Sequence, residues 1–213
     1  MKVIQPRPAL NGTLPYLSEG RLGLYALHIA AHEFVLAYVV YGWQGADHKP
    51  EAADRTDALL TQVIADIAAQ PIGPIMIAGD LNATISKSLP SVHQQLIQGN
   101  LIDLGAHSAP YGTPDNTPTC RTAGNDATRR DYVLVNPELM QLVKGYKVHN
   151  DTGLPTHSVI TVDIAANCRN NSSTVVDMPH AAAHLVLYAL RRQHPPSLDD
   201  SVGGVGDASA AGD

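Results

Sequence analysis

Asp80 and Asn82 stand two residues apart in Gly79-Asp80-Leu81-Asn82, directly after the apolar run at residues 75–78. At that spacing in an extended segment, both side chains point to one side. Two further stretches share the design. Asp131 opens an apolar run in Arg129-Arg130-Asp131-Tyr132-Val133-Leu134-Val135, and His157 precedes another in Pro155-Thr156-His157-Ser158. Carboxylate, carboxamide and imidazole are groups that move protons and hold polar ligands. Strand ends of a layered sheet are where such groups form sites. Each residue also has a plainer reading. Asp80 and Asn82 suit a turn, Asp131 a solvated strand start beside Arg129 and Arg130, and His157 a surface position. His180 and His184 share a helical spacing but lack the accompanying acid of a metal-binding helix.

The elements that must position these groups are legible in the hydrophobic pattern. Residues 23–29 and 34–41 read as a hairpin around His32-Glu33. Residues 52–70 carry Leu60, Val63, Ile64 and Ile67 at helical spacing, with Glu51 or Asp54 to start the helix and Pro71 and Gly73 to end it. A strand is predicted at 75–78, a short helix at 91–98 and a short strand at 101–104. Residues 105–130, rich in Gly, Pro, Asn and Thr, read as a long surface loop. Strands follow at 132–135 and 159–164. Residues 178–192 suggest a helix, and 193–213 a disordered tail. Strands at both ends with helices between them indicate an α/β sandwich. The near-continuous apolar run at 75–78 suits a sheet covered on both faces.

Bulk properties narrow the function. At 213 residues the chain is long enough for one domain with a sizeable core. Its formal net charge is −6, but Asp199, Asp200, Asp207 and Asp213 follow Arg192 with no balancing Lys or Arg, so the body is only weakly acidic. That is not the footprint of a non-specific nucleic-acid binder. It is compatible with an enzyme that carries a local basic groove or a bound cation. Cys120 and Cys168 form no metal-ligand spacing, and Cys120 reads as a small buried residue. No apolar stretch of about 18 residues indicates a spanning helix. The N-terminal residues lack a secretory h-region. The expected setting is intracellular, nuclear or cytoplasmic, with no membrane partner.

Taken in order, G-D-L-N, R-x-D-Y-x-L and x-x-H-x-x-I-T resemble the endonuclease/exonuclease/phosphatase (DNase I-like) superfamily. Val39-Val40-Tyr41-Gly42 resembles that family's strand ending in a phosphate-facing tyrosine, and Arg55 matches the place of a basic residue on the next helix. The resemblance covers about residues 20–164. It implies a DNase I-like two-layered α/β sandwich and metal-dependent phosphodiester hydrolysis, most similar to retrotransposon-type endonucleases. It also implies roles. Asp80 would deprotonate the attacking water, and Asn82 would bind the water or the scissile phosphate. His157 would contact a non-bridging oxygen, and Asp131 would hold His157. Tyr41 and Arg55 would bind substrate, a nucleic acid. Mg2+ or Mn2+ would complete the site.

The departures are equally specific. The family's last motif is Ser-Asp-His, whereas Thr156 stands in the Asp position. The family's Asn-bearing strand and Gln-Glu metal motif have no counterpart in residues 1–20. The sequence therefore implies a domain incomplete at its N-terminus over residues 1–166, with a C-terminal extension at 167–213, largely disordered. Metal would be weakly held and activity impaired, with Glu33 or Asp47 as other acids open to the ligand role. Two other readings remain open. One is an inactive remnant or binding module of the same fold. The other is a phosphatase acting on a phosphorylated small molecule or lipid.

Overall fold

The computed structural model describes residues 8–30, 33–71, 73–121, 126–152 and 156–165, together with Val3–Ile4, Pro6 and Leu154. Among the described residues, eight strands and five α-helices follow the chain order β1 (Val3–Ile4), α1 (Leu14–Ser18), β2 (Leu22–Ala30), β3 (Glu33–Tyr41), α2 (Pro50–Ala69), β4 (Ile75–Asp80), α3 (Ile85–Ser88), α4 (Pro90–Ile97), β5 (Ile102–Asp103), β6 (Asp131–Val135), α5 (Pro137–Met140), β7 (Val143–His149) and β8 (Val159–Ile164). The expected helix at 178–192, the tail at 193–213 and the extension at 167–213 lie outside the described residues.

The expected hairpin forms, with β2 and β3 antiparallel from Leu22↔Val40 to Ala30↔Glu33. Helix α2 begins at Pro50, whose missing N–H costs nothing in a first turn. It buries Thr56, Leu59, Leu60, Val63 and Asp66, one stripe at helical spacing. It returns the chain so that β4 lies parallel to β3, and β6 then pairs antiparallel with β4. The result is a six-stranded sheet in the order β1-β2-β3-β4-β6-β5, beside a two-stranded sheet of β7 and β8.

Two apolar clusters cover the faces of the large sheet. On one, Tyr38, Val40, Ile75, Ile77 and Leu134 pack with Leu59, Leu60 and Val63 of α2 and Val92 of α4. On the other, Val35, Ala37, Val39, Met76, Ala78, Val133 and Val135 pack with Tyr146, Val148, Ile160 and Val162 of the second sheet. Each large aliphatic side chain so buried contributes about 1.5–3 kcal/mol. Buried Asp66 ties these layers to the N-terminal segment, accepting hydrogen bonds from Leu10 N (2.6 Å) and Tyr38 Oη (2.8 Å).

Several features differ from the sequence reading, the short elements β1, α1, α3 and α5 among them. Strand β7 was not expected. A register shift between Val143 and Gly145 breaks its apolar alternation, so the pattern reads as irregular although Val143, Tyr146 and Val148 are buried. The stretch 105–130 is more than a surface loop, because Cys120 bridges both Thr128 and His157 in antiparallel fashion. No described helix is long and apolar enough to cross a membrane.

Candidate active site

Tyr41, Asp80 and Asp131 stand side by side at the ends of three adjacent strands, since Tyr41 pairs with Asp80 and Asp80 with Asp131. Partners in register share a face of the sheet. Ala78 and Val133, two residues along their strands, point into the cluster between the two sheets, so Asp80 and Asp131 line the rim of that layer. Gly79 makes the approach possible. Its φ is +146°, and a Cβ there would lie 1.9 Å from the Val40 carbonyl oxygen.

His157 reaches this row from the segment before β8. Ser158 N donates to Thr119 O (2.7 Å), and Arg121 N donates to Thr156 O (2.7 Å), so residues 119–121 clamp the histidine from both sides. The Thr119 hydroxyl accepts from Arg130 N (3.1 Å) and Asp131 N (2.9 Å), which joins that clamp to the start of β6. His157 Nδ1 lies 2.9 Å from Asp131 Oδ2, while Nε2 faces Asp80 Oδ2 at 3.9 Å and Cys120 Sγ at 4.0 Å. A carboxylate on Nδ1 selects one tautomer and favours the charged ring. The hydrogen bond that His157 donates to Asp131 raises the His157 pKa against the opposing effect of burial. Burial, and then the charge of Asp131, push Asp80 up to about 6, although the Asn82 N–H and the charges of His157 and Arg130 pull the other way.

Asn82 is placed by a turn rather than by extended geometry. Its φ is +53°, a left-handed conformation that Asn tolerates. Its backbone N–H donates to Asp80 Oδ1 (2.9 Å), and its side-chain amide donates to Gly42 O (3.2 Å). Thus Asn82 orients Asp80 through the main chain. Thr156 is exposed beside His157, and its carbonyl serves the clamp.

Asp47 is taken up elsewhere. Its carboxylate accepts from Thr84 N (2.6 Å), Thr84 Oγ1 (2.9 Å) and Ser88 Oγ (3.1 Å), and it pairs with Arg130. Burial alone would raise its pKa, but the Thr84 and Arg130 hydrogen bonds outweigh burial and hold it at about 2. Arg129 is likewise paired with buried Asp103.

The Tyr41 side of the row is different. Arg21 lies 4.9 Å above the Tyr41 ring and 4.9 Å above the Trp43 ring, and Arg55 lies 4.4 Å above Trp43. Arg21 was not legible in the sequence, because it stands alone just before β2 with no motif around it.

The ligand atoms of Asp80, Asp131 and His157 all lie within 4.8 Å of one another, a grouping able to hold a cation. Two carboxylates against one imidazole leave net negative charge, which would repel a phosphate unless a cation joined them. Carboxylates in that number suit magnesium, which otherwise keeps water and substrate oxygens as ligands.

No protein-family model matches this sequence, and no curated protein matches it. Solved structures do. The catalytic domain of Xenopus laevis APE2 aligns with a TM-score of 0.52 at 21% identity, over 75% of this chain and 62% of that one. The 3′ phosphatase NExo from Neisseria, bound to a product DNA hairpin, aligns at 0.55 and 18% identity, over 78% and 71%. The endonuclease domain of TRAS1, a telomere-specific non-LTR retrotransposon, aligns at 0.50 and 15% identity, over 75% and 65%. The chain thus spans 62–71% of the length of these structures. At these identities the likeness is one of architecture, and the chain has a DNase I-like α/β fold.

Proposed function

We propose that this chain hydrolyses phosphodiester bonds in nucleic acid, endonucleolytically, with a divalent cation. The observation that carries the reading is the convergence of Asp80, Asp131 and His157 from three separate stretches of chain on one strand-end rim. Asp80 accepts a proton from water as the water oxygen forms a bond to phosphorus. The opposite P–O ester bond breaks, and the leaving oxygen takes a proton from solvent. His157, as imidazolium, donates a hydrogen bond from Nε2 to a non-bridging oxygen and stabilises its growing charge. Asp131 holds the ring in that tautomer. Asn82 fixes the Asp80 carboxylate, and Tyr41 lies against the phosphate.

Asp80 and Asp131 would hold magnesium or manganese, with Thr156 adding only a neutral oxygen. When bound, the ion offsets charge on the phosphate. Thr156 in place of a carboxylate makes the ion weakly held and the reaction slow. The test is single-turnover cleavage of labelled DNA and RNA strands with magnesium, manganese or chelator. Cation-dependent cleavage that disappears in His157→Ala supports the reading. Chelator-resistant cleavage, or turnover of a phosphorylated small molecule alone, would overturn it.

A further inference from the structure

We infer that Arg21, Tyr41, Trp43 and Arg55 form a platform that stacks an unpaired nucleobase, so that the site selects single-stranded or extruded nucleotides over paired duplex. The inference rests on the phosphodiester reading for its place in the reaction, but its binding step requires no cleavage.

Two guanidiniums and two aromatic rings lie against one another. The Arg21 guanidinium contacts the Tyr41 and Trp43 rings at 4.9 Å each, and the Arg55 guanidinium contacts Trp43 at 4.4 Å. Tyr16 adds its edge to Trp43 at 6.3 Å between centroids. Tyr41 is 39% exposed and Arg55 is exposed, so the series has open ends. A nucleobase is another planar π-system and stacks on aromatic rings and on guanidinium planes alike. Inside a paired duplex those faces are already covered by neighbouring base pairs.

The platform is built into the site rather than lying near it. Gly42, between Tyr41 and Trp43, donates its N–H to Asp80 O (2.8 Å). The Gly42 carbonyl accepts from both the Asn82 amide and Arg21 Nη1, each at 3.2 Å. A Cβ at Gly42 would lie 2.3 Å from the Leu81 carbonyl oxygen, so only glycine allows this close contact. Trp43 is pinned at its backbone, whose N–H donates to Thr56 Oγ1 (2.9 Å) on α2. A base on this platform would therefore belong to a nucleotide neighbouring the phosphate at Asp80.

Charge points the same way. Among the described residues, Arg21 and Arg55 have no carboxylate within ion-pair distance, whereas Arg129 and Arg130 are each paired with an Asp. In a chain of net charge −6, two guanidiniums left without carboxylates beside an aromatic pair fit a ligand that is both anionic and flat.

Trp43 is the chain's single tryptophan, so its fluorescence reports the platform directly. The experiment titrates an Asp80→Asn protein with a short thymidine oligonucleotide, its duplex, and inorganic polyphosphate. Single strand should quench Trp43 at concentrations where duplex does not, and polyphosphate should leave the emission unchanged. By anisotropy of labelled strand, Trp43→Ala should weaken binding about five- to a hundred-fold, with Trp43→Phe recovering much of it. Arg55→Ala, an exposed helix position that leaves folding intact, should weaken binding and lower the salt slope by about one. Equal affinity for duplex and strand, or equal quenching by polyphosphate, would overturn the inference. Strand quenching without any cleavage by the native chain would keep the platform and reject the hydrolase. Cleavage without quenching would do the reverse.

Discussion

The two flanks of the polar row handle their arginines in opposite ways. On the β6 flank, Arg129 and Arg130 are consumed by Asp103 and Asp47, with side chains largely buried. On the β3 flank, Arg21 and Arg55 rest on aromatic rings with no carboxylate partner among the described residues. The first arrangement stiffens the frame around Asp131. Breaking one partner of a buried pair leaves an uncompensated charge, which is where its cost lies. The second arrangement adds little to stability, since partly exposed cation–π contacts are worth about 0.5–1 kcal/mol. It leaves the guanidinium charge without a carboxylate to offset it. Arginines of one small domain are thus tied to carboxylates on one side of the row and laid on aromatic rings on the other.

The largest expected effect lies between the flanks. Asp80→Asn should lower cleavage by about 100- to 10,000-fold, the range for loss of a positioned proton acceptor. The same change should stabilise the fold. Burial raises the Asp80 pKa from 3.8 to about 6, so the folded state prefers the neutral form. That preference contributes in full below about pH 4 and is lost as pH rises through about 6. Urea unfolding in chelator should show the variant ahead by about 2–3 kcal/mol at pH 7, with the difference shrinking towards pH 4.

On the β6 flank, Asp103→Asn should cost about 3–5 kcal/mol, because it strands buried Arg129. Denaturant melts of the purified variant would show it, and a loss under 1 kcal/mol would mean that the pair is idle. Asp47 has the opposite pH behaviour to Asp80. Its pKa is held down to about 2, so its contribution is present above about pH 4 and lost as pH falls towards 2. Asp47→Asn should therefore flatten the acid limb of the stability curve. The smallest effect belongs to the other flank. Arg55→Ala should change stability by no more than about 0.5 kcal/mol, so that any weakening of strand binding stands apart from folding.

Much of the frame was readable because its strands are buried on both faces. All six residues of β4 and all five of β6 are buried, and such strands appear as short apolar runs. The polar residues ending those runs, Asp80 and Asp131, were visible for the same reason. What escaped the sequence was set by long-range geometry. Strand β7 is hidden by a bulge at Gly145. The clamp at residues 119–121 lies in a stretch whose Gly, Pro and Thr content resembles a loop, and its backbone pairs with residues 128, 156 and 158, far from it or out of pattern in the sequence. The Asn82 side chain was expected to point to the same side as Asp80 from an extended segment, whereas its positive φ makes a turn in which the backbone does the orienting. Arg21 carries no local signal at all. Its place on Tyr41 and Trp43 follows from the hairpin register, in which Tyr41 N donates to Arg21 O (2.9 Å).

The most direct test is whether Asp131 and His157 act as one unit on a phosphodiester. Single-turnover cleavage of a labelled DNA strand in magnesium would be measured for the native chain, Asp131→Asn, His157→Ala and the double variant. The native chain should cleave slowly but measurably. Each single variant should lose about 100-fold or more, and the double variant should be no slower than His157→Ala, because a residue that acts by holding another has nothing left to hold. Losses that multiply in the double variant, or a native chain with no cleavage above background, would contradict the account.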